Sequence, residues 1–240
     1  MMNWGYAAIM ALALATGFAL LRLTQRQLPM PATQRWGIGL GAFVGAMVGS
    51  KFPFLFSDWQ QLLNGSIWFS NGKTILTGLA GGYLGVEIAK WCLHIKVRTG
   101  DTFVVPVAAA VAIGRLGCFY AGCCYGQPTD LPWGVVFDSV DSQPRHPTQL
   151  YEAMFHLSCV GFFLWCAHKN WFTGQRIKLY LILYASFRFV TEWLRPEATI
   201  YGGLTGYQMS SLCLIALFGW LWWRDREPAV ICLDDMPLVD

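Results

Sequence analysis

Seven stretches of this chain stay apolar for about the thickness of a lipid bilayer. Crossing roughly 30 Å of hydrocarbon takes about 20 helical residues. Runs of that kind lie at about Trp4 to Leu23, Gly37 to Phe56, Thr74 to Leu93, Thr102 to Ala121, Gln149 to Cys166, Ile177 to Leu194 and Leu204 to Trp223. In hydrocarbon every backbone polar group must be satisfied within the chain, so such runs fold as helices. Composition agrees, with 55% hydrophobic and only 13% charged residues, where soluble domains carry roughly 25% charge. These values exclude a disordered chain, an ordinary soluble enzyme and a basic nucleic-acid-binding domain, so no nucleic-acid partner is expected. A net charge of +3 specifies no partner. The expected fold is all-α, a polytopic membrane protein of about seven transmembrane helices forming one domain over residues 1–240.

The first run is Ala-rich like a secretory signal, but it lacks a basic leader, is too long and is followed by basic residues, so it reads as a retained helix. Orientation follows from Lys and Arg in the connections. Arg22, Arg26 and Arg35, then Lys90, Lys96 and Arg98, then Lys169, Arg176 and Lys178, and finally Arg224 and Arg226 put eleven on one side. The other side holds Lys51, Lys73, Arg115, Arg145, Arg188 and Arg195. The even-numbered connections are therefore expected outside, with the amino terminus outside and the carboxyl terminus in the cytoplasm. Trp4, Trp91, Trp171, Trp193 and Trp223 fall at span ends, as an interfacial belt would. The two long connections, Ser57 to Lys73 and 122–148, both fall outside, and Pro and Gly punctuate the second as an ordered loop.

Ionisable residues at membrane depth are costly and mark a site or a pair. Arg115 stands near the outer end of the fourth run, Arg188, Glu192 and Arg195 at the outer end of the sixth, and Glu87 in the third. Continued helix would put Arg188, Glu192 and Arg195 on one face, where Glu192 could hold either guanidinium. Each arginine alone could be snorkelling, but two separate arginine sites at one end favour a phosphate-bearing ligand, because the guanidinium offers a planar two-pronged donor. A phospholipid head group is the natural ligand.

Glycines repeat every four residues along the second run (Gly37, Gly41, Gly45, Gly49) and form a face of the third (Gly78, Gly81, Gly82, Gly85). Close helix packing explains them; a functional alternative is that Gly81 and Gly82 make room for a lipid chain. Three of the eight cysteines cluster as Cys118, Cys123 and Cys124. On an oxidising side they permit a disulfide or redox role, they could also act as nucleophiles, and their spacing matches no zinc pattern, so no metal is expected. The other five cysteines read as helix filler or cytoplasmic thiols. His146 is the one histidine expected outside and the candidate for proton transfer, while His94, His156 and His168 read as structural. Thr148 can cap the fifth run, with Tyr151 and Glu152 in its first turn.

The segments Gly114-Arg115-Leu116-Gly117, Gly126 with 128–134, Arg145-His146-Pro147-Thr148-Gln149-Leu150-Tyr151-Glu152, and Phe187-Arg188-Phe189 through Glu192 to Arg195 resemble, in order, those of prolipoprotein diacylglyceryl transferases. The resemblance implies a seven-helix enzyme of the bacterial inner membrane with its site facing the periplasm. Such an enzyme moves the diacylglyceryl group of phosphatidylglycerol to a prolipoprotein lipobox cysteine and releases glycerol phosphate, without a cofactor. It further implies that Arg115 and Arg188 match the family's essential arginines and Glu192 their acidic partner, all catalytic; His146, from its outward position, is the reserve base. Gly81, Gly82, Gly117, Gly126, Gln149, Tyr151 and Arg195 would contact substrate. Ala80 stands where that family usually has the His of a His-Gly-Gly motif, Cys118 where Asn, Cys123 where Glu and Gln127 where Arg are usual. Two alternatives follow from these departures: transfer of a glyceryl-lipid group to another acceptor, or a non-catalytic lipid-binding or redox membrane protein.

Overall fold

Several ionisable side chains are buried in this molecule beside its apolar core, while many large apolar ones are exposed. The computed structural model describes residues 4–26, 28–57 and 74–225. Among the described residues the seven α-helices are α1 (Trp4–Gln25), α2 (Ala32–Ser57), α3 (Ile75–Cys92), α4 (Asp101–Tyr120), α5 (Thr148–His168), α6 (Arg176–Thr191) and α7 (Gly206–Arg224). Each falls on one of the seven apolar runs. By length and composition α1, α4 and α5 are long and apolar enough to cross a membrane. In the others glycine (α2, α3), charge (α3, α6) and tryptophan (α7) dilute the apolar character. Leu12, Leu14, Phe43, Met47, Leu84, Ile88, Met154 and Leu157 are exposed, as a lipid-facing surface requires. All five tryptophans assigned to the interfacial belt are exposed as well.

The chain is not wholly helical. A two-residue hairpin, β1 (Val135–Val136) with β2 (Pro144–Arg145), folds the loop between α4 and α5, and β3 (Thr199–Tyr201) pairs with β4 (Leu204–Thr205) before α7. Two span ends move in consequence. The seventh helix starts at Gly206, because Thr205 caps it reciprocally with Gln208. The sixth ends at Thr191, where a 3₁₀ turn over Glu192–Leu194 takes over. The connection beyond Ser57 up to Lys73, together with Arg226 and Cys232, lies outside the described residues.

Helix pairing follows from small residues. α2 lies along α3, α1 along α4, α4 along α5 and α6 along α7. A Cβ on Gly41 would stand 2.6 Å from the Gly85 carbonyl oxygen, and one on Gly49 2.5 Å from that of Thr77, so the two backbones touch. Gly45 and Gly81 meet in the same way, which commits Gly81 to helix packing. Gly82 faces Ala42 and Ala46 and borders a cavity of about 100 Å³ with Tyr83, Val86 and Tyr180. Glu87 pairs with Lys90 at 3.2 Å near the end of α3.

Candidate active site

One carboxylate organises the interior. Glu152, in the first turns of α5, is 1% exposed. Its Oε1 accepts from an Arg115 guanidinium nitrogen (2.5 Å) and from the Tyr184 hydroxyl (2.5 Å), while its Oε2 accepts from Arg195 (2.9 Å). These partners come from α4, α6 and the segment after the 3₁₀ turn, so the end of α4, the start of α5 and the end of α6 converge at one end of the bundle. A second buried carboxylate, Glu192, forms an ion pair with Arg188 at 2.8 Å and accepts from the Thr205 hydroxyl at 3.0 Å, which ties in α7. The Arg188 guanidinium also lies over the Tyr207 ring, 4.6 Å from its centroid.

Three buried guanidiniums therefore face two buried carboxylates, an excess of one positive charge. Their hydrogen bonding is unfinished: Arg115 Nε, Arg188 Nη1 and Arg195 Nε are buried donors with no partner among the described residues. Native interiors rarely leave such donors unpaired, and an exception asks for a ligand. Below this layer His156 is fully buried, with Nδ1 3.0 Å from the Tyr180 hydroxyl and its ring 4.7 Å from that of Tyr184.

The loop between α4 and α5 closes over the cluster. Gly126 and His146 bond through their backbones (2.8 Å), and the Gln127 amide nitrogen donates to the Leu194 carbonyl (2.8 Å). A Cβ on Gly126 would stand 2.6 Å from that carbonyl oxygen and 2.7 Å from His146 Cβ, so only glycine lets the loop dock. The Gln127 side chain donates to the Arg195 carbonyl (3.0 Å). Arg145 pairs with Asp141 and reaches the Gly126 carbonyl. Tyr151 accepts from Trp133 Nε1 (2.8 Å) and lies 3.3 Å from His146 Nδ1. Gln149 and Thr148 donate to the carbonyls of Cys123 (2.6 Å) and Cys124 (2.8 Å).

The three clustered cysteines end up as neighbours. Cys118 lies in the last turn of α4, the chain then reverses through positive φ at Gly122 and Cys124, and the three Sγ atoms lie within 4.8 Å of one another as free thiols. The thiols of Cys118 and Cys123, and beyond them the Arg115 and Arg195 guanidiniums, hold the Cys124 thiol well below its ordinary pKa. Paired C-x-x-C spacing describes one kind of turn, whereas here a reversal at a helix end gathers sulfurs five and six residues apart.

Two comparisons bear on what such a site belongs to. A family profile described as prolipoprotein diacylglyceryl transferase matches residues 2–224. The chain belongs to the prolipoprotein diacylglyceryl transferase family. Among relatives named phosphatidylglycerol–prolipoprotein diacylglyceryl transferase, that of Legionella pneumophila (strain Corby) is 38% identical over 206 residues, 78% of this chain and 76% of its own. That of Clostridium tetani is 32% identical over 81% of each chain, and that of Coxiella burnetii (strain Dugway 5J108-111) 29% identical over 93% and 91%.

In this member of the prolipoprotein diacylglyceryl transferase family, Arg115, Arg188, Glu192 and Arg195 share one buried cluster, as their residue types required. The wiring differs from the periodicity. Arg195 pairs with Glu152 and not with Glu192, because the helix has ended before it. The His146 side chain contacts Tyr151, through Nδ1 at 3.3 Å and edge-on between the rings. Gln149 and Tyr151 hold the loop, Gly117 packs on Ile9 and Met10 of α1, and Gly126 is the docking point. Glu152 and Tyr184 are the residues that sequence reasoning passes over. A signal existed for Glu152, since it is a carboxylate inside the fifth apolar run.

Proposed function

We propose that this protein transfers the diacylglyceryl group of phosphatidylglycerol to the lipobox cysteine thiol of prolipoproteins, in the bacterial inner membrane with the site facing the periplasm. The observation that carries the reading is the buried cluster of Arg115, Arg188 and Arg195, with one excess positive charge and three unpaired donors, in a chain whose relatives bear that activity in their names. The seven helices cross the membrane as one domain, amino terminus outside. The basic residues support this orientation, and the site gathers the ends of α4–α7 that flank the fourth and sixth connections, on the side where fewer Lys and Arg lie. The 122–148 loop is an ordered lid on the site.

The chemistry is a substitution at the glyceryl carbon that bears the phosphate. A thiolate attacks that carbon, the carbon–oxygen bond breaks, and glycerol phosphate leaves with the electron pair. Charge grows on the departing phosphate, and fixed guanidiniums in a poorly hydrated site stabilise such charge strongly. Arg115 and Arg188 donate to the phosphate, Glu192 and Glu152 hold the guanidinium planes, and Gly82 borders the space for an acyl chain. A thiol with a pKa of about 8.5 is partly ionised near neutral pH and needs no dedicated base, with His146 in the loop as the reserve proton acceptor.

The test is to incubate the purified protein in detergent with phosphatidylglycerol and a synthetic lipobox peptide and to weigh the peptide. A diacylglyceryl mass gain that disappears in Arg115→Ala and Arg188→Ala is expected. A gain that persists in both variants overturns the site, and no gain from a protein that binds the lipid overturns the acceptor.

A further inference from the structure

The mechanism above leaves unused the three thiols at the rim of the arginine cluster. Cys118 and Cys123 are partly buried and Cys124 is exposed, so the group is open on one side. Its backbone is fixed: Cys123 N–H donates to the Cys118 carbonyl (3.1 Å), and fully buried Gln149 and buried Thr148 hold the carbonyls of Cys123 and Cys124. Gln149 keeps a buried Oε1 with no partner among the described residues. A three-sulfur zinc site with bonds of about 2.3 Å needs sulfurs roughly 4 Å apart. The thiols lie within 4.8 Å of one another, close to that spacing. Soft thiolates select thiophilic d¹⁰ ions over hard cations. Three thiolates around a zinc ion carry one net negative charge, a modest charge for a group at the rim of a cluster of buried guanidiniums.

We propose that Cys118, Cys123 and Cys124 bind one zinc ion whose open fourth position takes the thiol of the acceptor. Zinc sites with three protein ligands keep such a position, and a thiol that coordinates the ion is deprotonated. The acceptor thiol releases its proton to water as it binds. Its sulfur then forms the bond to the glyceryl carbon while the carbon–oxygen bond breaks, and the electron pair leaves on glycerol phosphate. The thioether product is a weaker ligand than a thiolate and dissociates. This inference rests on the transferase reading for its second half only; the ion site stands on the thiols alone.

The experiment uses the full chain in detergent, reduced and freed of metal under anaerobic conditions, then titrated with cobalt(II) and zinc(II). One ion per chain is expected, with sulfur-to-cobalt charge-transfer absorption. Cys118→Ser, Cys123→Ser and Cys124→Ser should each weaken binding at least tenfold, and Cys92→Ser, at an exposed position on another helix, should not. Each variant is checked for the parent's melting transition, so that lost binding is read only from folded protein. An absent sulfur band, or binding unchanged in all three variants, overturns the site. With phosphatidylglycerol and lipobox peptide, zinc removal should lower kcat at least tenfold and readdition restore it, with Cys124→Ser insensitive to both. Full turnover without metal overturns acceptor activation while the ion site stands. A protein that binds zinc yet transfers nothing to the peptide overturns the transferase reading instead.

Discussion

Glu152 is where single residues matter most. It satisfies two guanidiniums and a phenol at once, and removing one partner of a buried ion pair costs about 3–5 kcal/mol because the other charge stays buried. Glu152→Gln is therefore expected to lower stability by about that amount and to cut kcat/KM at least a hundredfold; thermal unfolding in detergent and peptide mass gain measure the two. Tyr184→Phe removes one bond to a charged group, worth about 1.5–3 kcal/mol, and should cost about ten- to hundredfold in kcat/KM while keeping the fold. Equal activity in Glu152→Gln and the parent would show that the cluster is not the site. At this scale the sequence was partly legible. Arg115, Arg188 and Glu192 stand out because an ionisable group in an apolar run has few reasons to be there. Their partners do not, since Glu152 reads as an ordinary first-turn carboxylate and Tyr184 as an aromatic of the core.

Among the elements, the α2–α3 pair depends on atoms that glycine lacks. Gly45→Ala pushes a methyl into the Gly81 carbonyl and should destabilise by about 1–3 kcal/mol. Gly39→Ala meets nothing within 4 Å and should be neutral or slightly stabilising; their unfolding temperatures should move in opposite directions or only the first should fall. At the far end of the bundle, Asp225 caps α7 and pairs with buried Lys178 at 2.5 Å. Hydrogen bonds from Arg224 and then Lys178 pull its carboxyl down to about 2. A carboxyl depressed on folding gives stability that is present above its unfolded value near 3.8 and is lost as pH falls through 2. Asp225→Asn should thus be less stable than the parent by about 1–3 kcal/mol near neutral pH, with the gap closing between about pH 4 and 2 in a melting series. Element positions were legible from apolar length. Element ends were not: the stop at Thr191 and the start at Gly206 depend on a 3₁₀ turn and a capping box, and hydropathy is blind to both.

For the whole molecule, the reading has one testable consequence in topology. In single-cysteine variants, Cys124 should react with a membrane-impermeant maleimide in intact spheroplasts, and Cys92 only after permeabilisation; both are exposed thiols on opposite sides of the proposed bundle. The reverse pattern would overturn the orientation and with it the periplasmic site. The assembly of the site was the least legible level, because it joins residues 115, 152, 188, 195 and 205 through contacts that no local period records. That joining also sets an order of events during synthesis. While the chain emerges, Arg115 and Glu152 can meet first and cancel. The surplus charge arises only when Arg188 and Arg195 arrive, and Thr205 must follow before Glu192 has its hydroxyl partner. A half-made chain therefore has no affinity for phosphate, and the newborn protein cannot engage lipid head groups until nearly all of it has been built.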